Sequence, residues 1–233
     1  MKLKLLFLAM VVSSLFYGNI QSFRRLDRDT LKEQIPELIP KKSKGKFGYI
    51  NTQKKYVISP QYDLALFFTE DCNLVNSPKE EVQAYGSAEY ATVEINKVAY
   101  RIDKSGKKVY RYKQGDLGIC PSRKMNPVYE TYERNGKYGL ALRNYTGDSR
   151  FTNVIILSSY QYLYILEGGD VHQPMIIAVQ NDKFGIITKD NQVVIPFEYE
   201  DIKKNMSWKE AHLFEVSKNG RNYFFLDKEG NSY

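Results

Sequence analysis

The chain has 233 residues, a formal charge of +7, 14% aromatic residues with 19 Tyr against one Trp, and two Cys. That composition affords a substantial core and excludes simple disorder. Two cysteines allow at most one intramolecular disulfide, so the chain is not a disulfide-framed mini-domain.

At the N-terminus Lys2 and Lys4 precede the apolar run Leu5 to Val12, which continues to Tyr17 before the polar Gly18 to Ser22. This charged, apolar, small-polar order predicts a secretory signal peptide over residues 1–22. An N-terminal membrane anchor or a buried helix are the rival readings, and the run is shorter than the roughly 20 apolar residues a span requires. The mature chain is thus expected to be exported to the periplasm or cell surface without a transmembrane span. In that setting Cys72 and Cys120 either bridge or stay two independent buried thiols. Residues 23–43 read as a lead-in with a short N-terminal helix, where Thr30-Leu31-Lys32-Glu33 has capping-box spacing and Pro36 and Pro40 stop the helix.

From Lys44 the pattern becomes alternation punctuated by turns. Asn135-Gly136, Asn181-Asp182 and Asn219-Gly220 each separate a strand-like segment from a following aromatic segment, as two-residue hairpin turns do. A second turn follows the aromatic strand at Asp103 to Gly106, Lys189 to Asn191 and Asp227 to Gly230, with a weaker copy at Asn51 to Lys54. Polar starts closing on Gly or Asn suit a type I turn ending in a left-handed residue. Each unit is therefore a three-stranded meander, and residues 44–233 form one β domain of about five degenerate copies centred near Gly48, Tyr100, Gly139, Gly185 and Phe224. The first copy lacks a recognisable leading strand and the last its third, which favours an open twisted array over five-bladed propeller-like closure.

The recurring residues are Phe47, Gly48 and Tyr62; Tyr138 and Gly139; and Phe184, Gly185, Pro196 and Tyr199. They have structural duties. The ring anchors the unit, the glycine leaves a gap for a neighbouring ring, the proline ends the third strand, and the tyrosine packs back on its own hairpin with its hydroxyl outward.

The unit resembles the WG repeat of bacterial proteins, with Phe47, Tyr138 and Phe184 in the tryptophan place, and with Phe68-Thr69-Glu70-Asp71 and Trp208-Lys209-Glu210-Ala211 as the approach to the next strand. The resemblance implies a β repeat domain and carries no shared active site.

Chemistry is sparse. His172 and His212 are far apart without Cys partners, the acid pairs Glu70-Asp71, Glu80-Glu81 and Glu200-Asp201 lie in turns, and Gly168-Gly169-Asp170 lacks the Lys-Ser/Thr of a phosphate loop. No catalytic, metal or cofactor residues are assigned. Lysines cluster at Lys41 to Lys46, Lys107-Lys108 and Lys203-Lys204. They serve solubility and edge protection, or a polyanion. The expectation is a non-catalytic interaction module of the bacterial envelope that binds another envelope protein or a glycan; a surface hydrolase or a polyanion/glycan-binding protein is the alternative. Nucleic acid is not an expected partner of an exported chain. Function is expected where copies diverge, at Cys72 to Tyr90, Asn144 to Arg150 and Leu166 to Pro174.

Overall fold

The computed structural model describes residues 35–69, 89–113, 116, 124–143 and 153–233. The signal segment, the capping box, both cysteines, the acid pairs at 70–71 and 80–81, and the enlarged turn at 144–148 lie outside the described residues. Residues Ile35–Tyr233 form one compact unit. It is all-β, made of five small antiparallel sheets with one short helix and no closed barrel among the described residues.

Strands β1 (Ile39–Ser43), β2 (Lys46–Ile50) and β3 (Tyr56–Tyr62) make the first sheet. The second holds β4 (Leu64–Ala65), β5 (Tyr90–Ile95), β6 (Val98–Asp103) and β7 (Lys108–Arg111). The third comprises β8 (Tyr129–Arg134), β9 (Lys137–Leu142) and β10 (Val154–Tyr160), and the fourth β11 (Tyr162–Ile165), β12 (Met175–Gln180), β13 (Lys183–Thr188) and β14 (Val193–Tyr199). In the fifth, β15 (Asp201–Ile202) precedes helix α1 (Ser207–Ala211), β16 (Phe214–Ser217) and β17 (Tyr223–Leu226). The expected leading-strand deficit of the first copy is corrected by β1, which falls inside the stretch taken as lead-in. Pro40 sits in it, paired with Tyr49 on the sheet's outer strand, where a missing N–H costs no ladder bond.

The hairpin turns follow backbone chemistry. Asn135-Gly136 and Asn181-Asp182 both have positive φ, as do Lys44-Gly45 and Asn96-Lys97, which the residue types did not announce. Asn219-Gly220 is different. Only Gly220 has positive φ, and the Asn219 side chain accepts the N–H groups of Arg221 and Asn222 in a longer loop. The second turn is uniform in four sheets: Lys54, Gly106, Asn191 and Gly230, all left-handed, donate to the carbonyls of Asn51, Asp103, Thr188 and Asp227.

The third strand is where the repeat's glycine and proline act. Tyr49 faces Ile58 and Phe47 faces Tyr62, so four residues advance on β3 against two on β2. The same offset separates Ile156 from Tyr160 opposite Leu140 and Tyr138, and Ile195 from Tyr199 opposite Ile186 and Phe184. Pro60 and Pro196 lie inside these bulges, so proline does not end the strand; it occupies backbone already withdrawn from the ladder. The bulged backbone presses on the glycine: a Cβ at Gly48 would lie 2.4 Å from Ile58 O, at Gly139 2.4 Å from Ile156 O, and at Gly185 2.8 Å from Ile195 O. Rings also reach these positions, Tyr132 at Gly139 and Phe197 at Gly185. The gap is filled first by main chain and second by a ring.

After the bulge the chain turns a one-residue corner into the next sheet, at Asp63, Gln161 and Glu200. The tyrosine just before the corner packs on its own hairpin and also reaches the next sheet. Tyr62 is buried among Tyr49, Ile58, Val93 and Ile102, and its hydroxyl faces the Gly106 carbonyl of the second sheet at 3.5 Å. Tyr160 donates to Asn191 Oδ1 of the fourth sheet at 2.7 Å. Tyr199 packs with Ile202, Val216 and Leu226 of the fifth. Burial, then Glu198, pushes its phenol up to about 12. Each bolts one sheet to the next. Phe47, Tyr138 and Phe184 are only half-buried and rim the same clusters.

Apolar clusters join the first sheet to the second, the third to the fourth and the fourth to the fifth. A further one joins the first and fifth: Ile39, Ile50 and Phe67 meet Leu213, Phe225 and Tyr233, with the Phe67 and Phe225 rings 5.1 Å apart. The two terminal sheets of the row therefore touch.

Candidate binding cleft

The residues that sequence chemistry brought into view do not converge. His172 lies in a loop where its N–H bonds Asp170, whereas His212 ends α1 in the left-handed region with its ring edge-on to Trp208. Glu200 pairs with Lys183, and Asp201 accepts the Tyr223 hydroxyl at 2.6 Å. Gly168 is a packing glycine, since a Cβ there would meet Lys209 Cα at 2.4 Å, and Glu167 ties the same helix through Lys209 at 2.7 Å. Trp208 stacks flat on Phe214 at 4.7 Å, so the lone tryptophan anchors the approach segment instead of the strand. Among the described residues no three His, Cys, Asp or Glu side chains could hold a metal ion, and no helix is long and apolar enough to cross a membrane.

A cleft of about 910 Å³ opens where the first and fifth sheets meet. One wall is β1, β2, the turns that follow them and the start of β3, contributing Lys41, Lys42, Lys44, Phe47, Lys54 and Tyr56. The other is β16, β17 and the residues after it, contributing Glu215, Arg221, Tyr223, Phe225, Ser232 and Tyr233. The local folding explains the placement. The left-handed Lys44-Gly45 turn lifts Lys42 and Lys44 to the rim, the left-handed Lys54 closes the second turn beside them, and the Asn219 loop carries Arg221 opposite.

Five cations face one carboxylate in this lining. Lys41 Nζ donates to the main-chain oxygen of Tyr233 at 2.9 Å, and Lys54 Nζ to Ser232 Oγ at 3.4 Å, so both bridge the walls. Burial first, and the Lys54 charge second, hold the Lys41 ammonium below the usual lysine range. Lys42 Nζ lies 5.3 Å from the Phe47 ring centre, a cation–π contact. Glu215 is drawn the other way: burial raises its carboxyl, while the Asn205 amide donates to it and partly opposes that shift.

Such a basic, aromatic-lined concavity can hold an anion and a flat or apolar face together. The sequence marked Lys41 to Lys46 as a charge run serving solubility or a polyanion. Arg221, Tyr223 and Tyr233 carried no signal, because the cleft exists only when segments 192 positions apart come together, as at Lys41 and Tyr233.

Two stretches, residues 47–75 and 184–221, match the family model described as WG containing repeat. The matches open at Phe47 and Phe184, the ring positions of the first and fourth sheets. No curated protein matches the chain. These two stretches are similar to WG-containing repeats, a likeness that suggests a repeat-based binding module.

Proposed function

We propose that this protein is a non-catalytic binding module of the bacterial cell envelope, and that its binding face is the cleft between the first and fifth sheets. The observation that carries this reading is the cleft itself: a concavity of about 910 Å³ in which cations and aromatic rings from both walls converge. Such volumes fall within the range of about 300–1,000 Å³ typical of ligand sites. The signal-like N-terminal segment supports export, and the repeat matches support binding over catalysis.

Hydrogen exchange on the full chain, with and without solubilised envelope extract, tests the reading. Protection is expected at Pro40 to Tyr56 and at Arg221 to Tyr233. Protection confined to the outer strands β7, β10 and β14 would place the binding face elsewhere and overturn it. Export is checked by fractionation, which should find the chain outside the cytoplasm and shortened at its N-terminus.

A further inference from the structure

The cleft's charge is not balanced from within. Several lysines elsewhere on the surface sit on acids: Lys104 on Glu37 at 2.9 Å, Lys209 on Glu167 at 2.7 Å and Lys218 on Glu198 at 3.0 Å, with Lys46 on Asp63 and Lys183 on Glu200 closer still. Lys41, Lys42, Lys44, Lys54 and Arg221 have no Asp or Glu carboxylate within 4.0 Å among the described residues. Lys41 and Lys54 repel each other, and an anion placed between them would relieve that repulsion. The lone lining acid, Glu215, is engaged by Asn205.

The aromatic component narrows the ligand. Tyr56 is 43% exposed in the lining, with Phe47 and Tyr223 half-buried beside it. Phe47 gives one face to Lys42, and Tyr223 gives one to Lys203 at 4.0 Å. A single-stranded nucleic acid uses a run of open ring faces on which successive bases stack, and here Phe47 and Tyr223 each have one face taken by a lysine and Tyr233 is buried. Sugar rings ask for less: one apolar C–H face against an aromatic edge or face, hydroxyls for the lysines, and acid groups for the ammoniums.

We propose that this cleft binds an anionic polysaccharide, seating its carboxylate or phosphate groups on Lys54 and Arg221 and a sugar face on Tyr56. The proposal rests on the reading of the cleft as the binding face.

Calorimetry on the full chain tests it with four probes: oligogalacturonate for carboxylate, phosphomannan for phosphate, dextran as a neutral glycan, and oligothymidylate. One or both acidic glycans should bind, and dextran should not. Two ion contacts predict an affinity loss of roughly tenfold between about 50 and 200 mM salt. Lys54→Gln and Arg221→Gln, both at exposed positions, should each weaken binding about tenfold and flatten the salt dependence. Tyr56→Ala should weaken it several-fold with the salt dependence unchanged. Thermal melts of the three variants, expected to match the parent, separate lost binding from lost folding. Tighter binding of oligothymidylate, equal binding of dextran, or full affinity in both charge variants would overturn the proposal. If envelope extract protects the cleft from exchange while neither acidic glycan binds, the ligand class is wrong and the binding face stands. If the glycans bind but protection and variant effects lie elsewhere, both fall.

Discussion

The first and second sheets use one plan and differ at a single strand. In the first, Phe47-Gly48 lies under a bulge that carries Pro60, and Tyr62 crosses to the neighbour. In the second, Ala99 and Tyr100 occupy the ring and glycine places, and β7 pairs one-to-one across Arg101 and Tyr100, opposite Tyr110 and Arg111, its one register shift lying earlier, between Ile102 and Arg101. The ladder even continues, as the Tyr112 N–H reaches the Ala99 carbonyl at 3.1 Å. The Tyr112 hydroxyl then meets Thr92 of its own sheet at 2.9 Å, and Arg101 is buried where the first sheet has Tyr49. Glycine is therefore the permission for the bulge, because a side chain at that place keeps the third strand at ordinary ladder distance. The bulge in turn aims the tyrosine at the next sheet.

The largest expected effect comes from withdrawing that permission. Gly48→Val should cost about 3 kcal/mol in urea unfolding, since its Cβ would start 2.4 Å from a main-chain oxygen that a rotamer change cannot move. Gly185→Val should cost somewhat less, because its nearest contacts are at 2.8 Å and include the Phe197 ring. Asp190→Ser, on the exposed turn beyond it, should stay within about 0.5 kcal/mol. Equal midpoints for Gly185→Val and Asp190→Ser would break the comparison outright.

Next in size is the bolt. Tyr62→Ala should cost about 3 kcal/mol by emptying the interface of the first two sheets. Tyr160→Phe, which deletes only the hydroxyl bonded to Asn191, should cost about 1 kcal/mol. A Tyr62→Ala variant as stable as the parent would mean the tyrosine fills space without joining anything.

Tyr100→Gly sharpens the argument from the other side. Where no bulge presses, glycine has nothing to permit, and the change loses a half-buried ring that packs on the core and lies under Lys108 Nζ at 4.1 Å. A loss of about 2 kcal/mol is expected. A gain in stability would show that the second sheet lacks only its glycine.

The smallest effect sits at the corner between the two sheets. Asp63 accepts Lys46 Nζ and the Asn96 N–H, and these bonds, in that order, lower its carboxyl below 3.8. A lowered folded value means stabilisation that is complete above the unfolded pKa and lost as pH falls through the folded one. Asp63→Asn should lower the melting temperature slightly at pH 7. The difference from the parent should shrink to nothing in strong acid, and a constant difference at all pH values would assign the effect to packing.

Much of this plan was legible in the residues. The Asn135-Gly136 and Asn181-Asp182 turns, the second-turn pattern and the five centres predict five meanders, and five sheets are present. The misses have local causes. Pro60 and Pro196 look like stops to a reader who expects a regular ladder, but a bulge has no ladder bond for proline to break. Lys44-Gly45 hides a hairpin, since lysine is an unusual residue in the left-handed region, and β1 was lost with it. The matched stretch 47–75 begins on β2 and runs past β4, so the sequence unit straddles two sheets and conceals the one-residue corners. The cleft had no local signature, because its walls are distant in sequence and each reads alone as a charged turn or a plain strand.

That distance sets a schedule for the molecule. One wall is synthesised well before the other, so a ribosome-bound or truncated chain carries Lys41 and Tyr56 without Arg221 and Tyr233 opposite them. The site comes into being only when the fifth sheet docks on the first through Phe67 and Phe225. Any ligand held there would also clasp the two ends of the row, adding its binding free energy to the stability of the finished array and to nothing shorter. Occupancy of the cleft is in this sense a readout of completion.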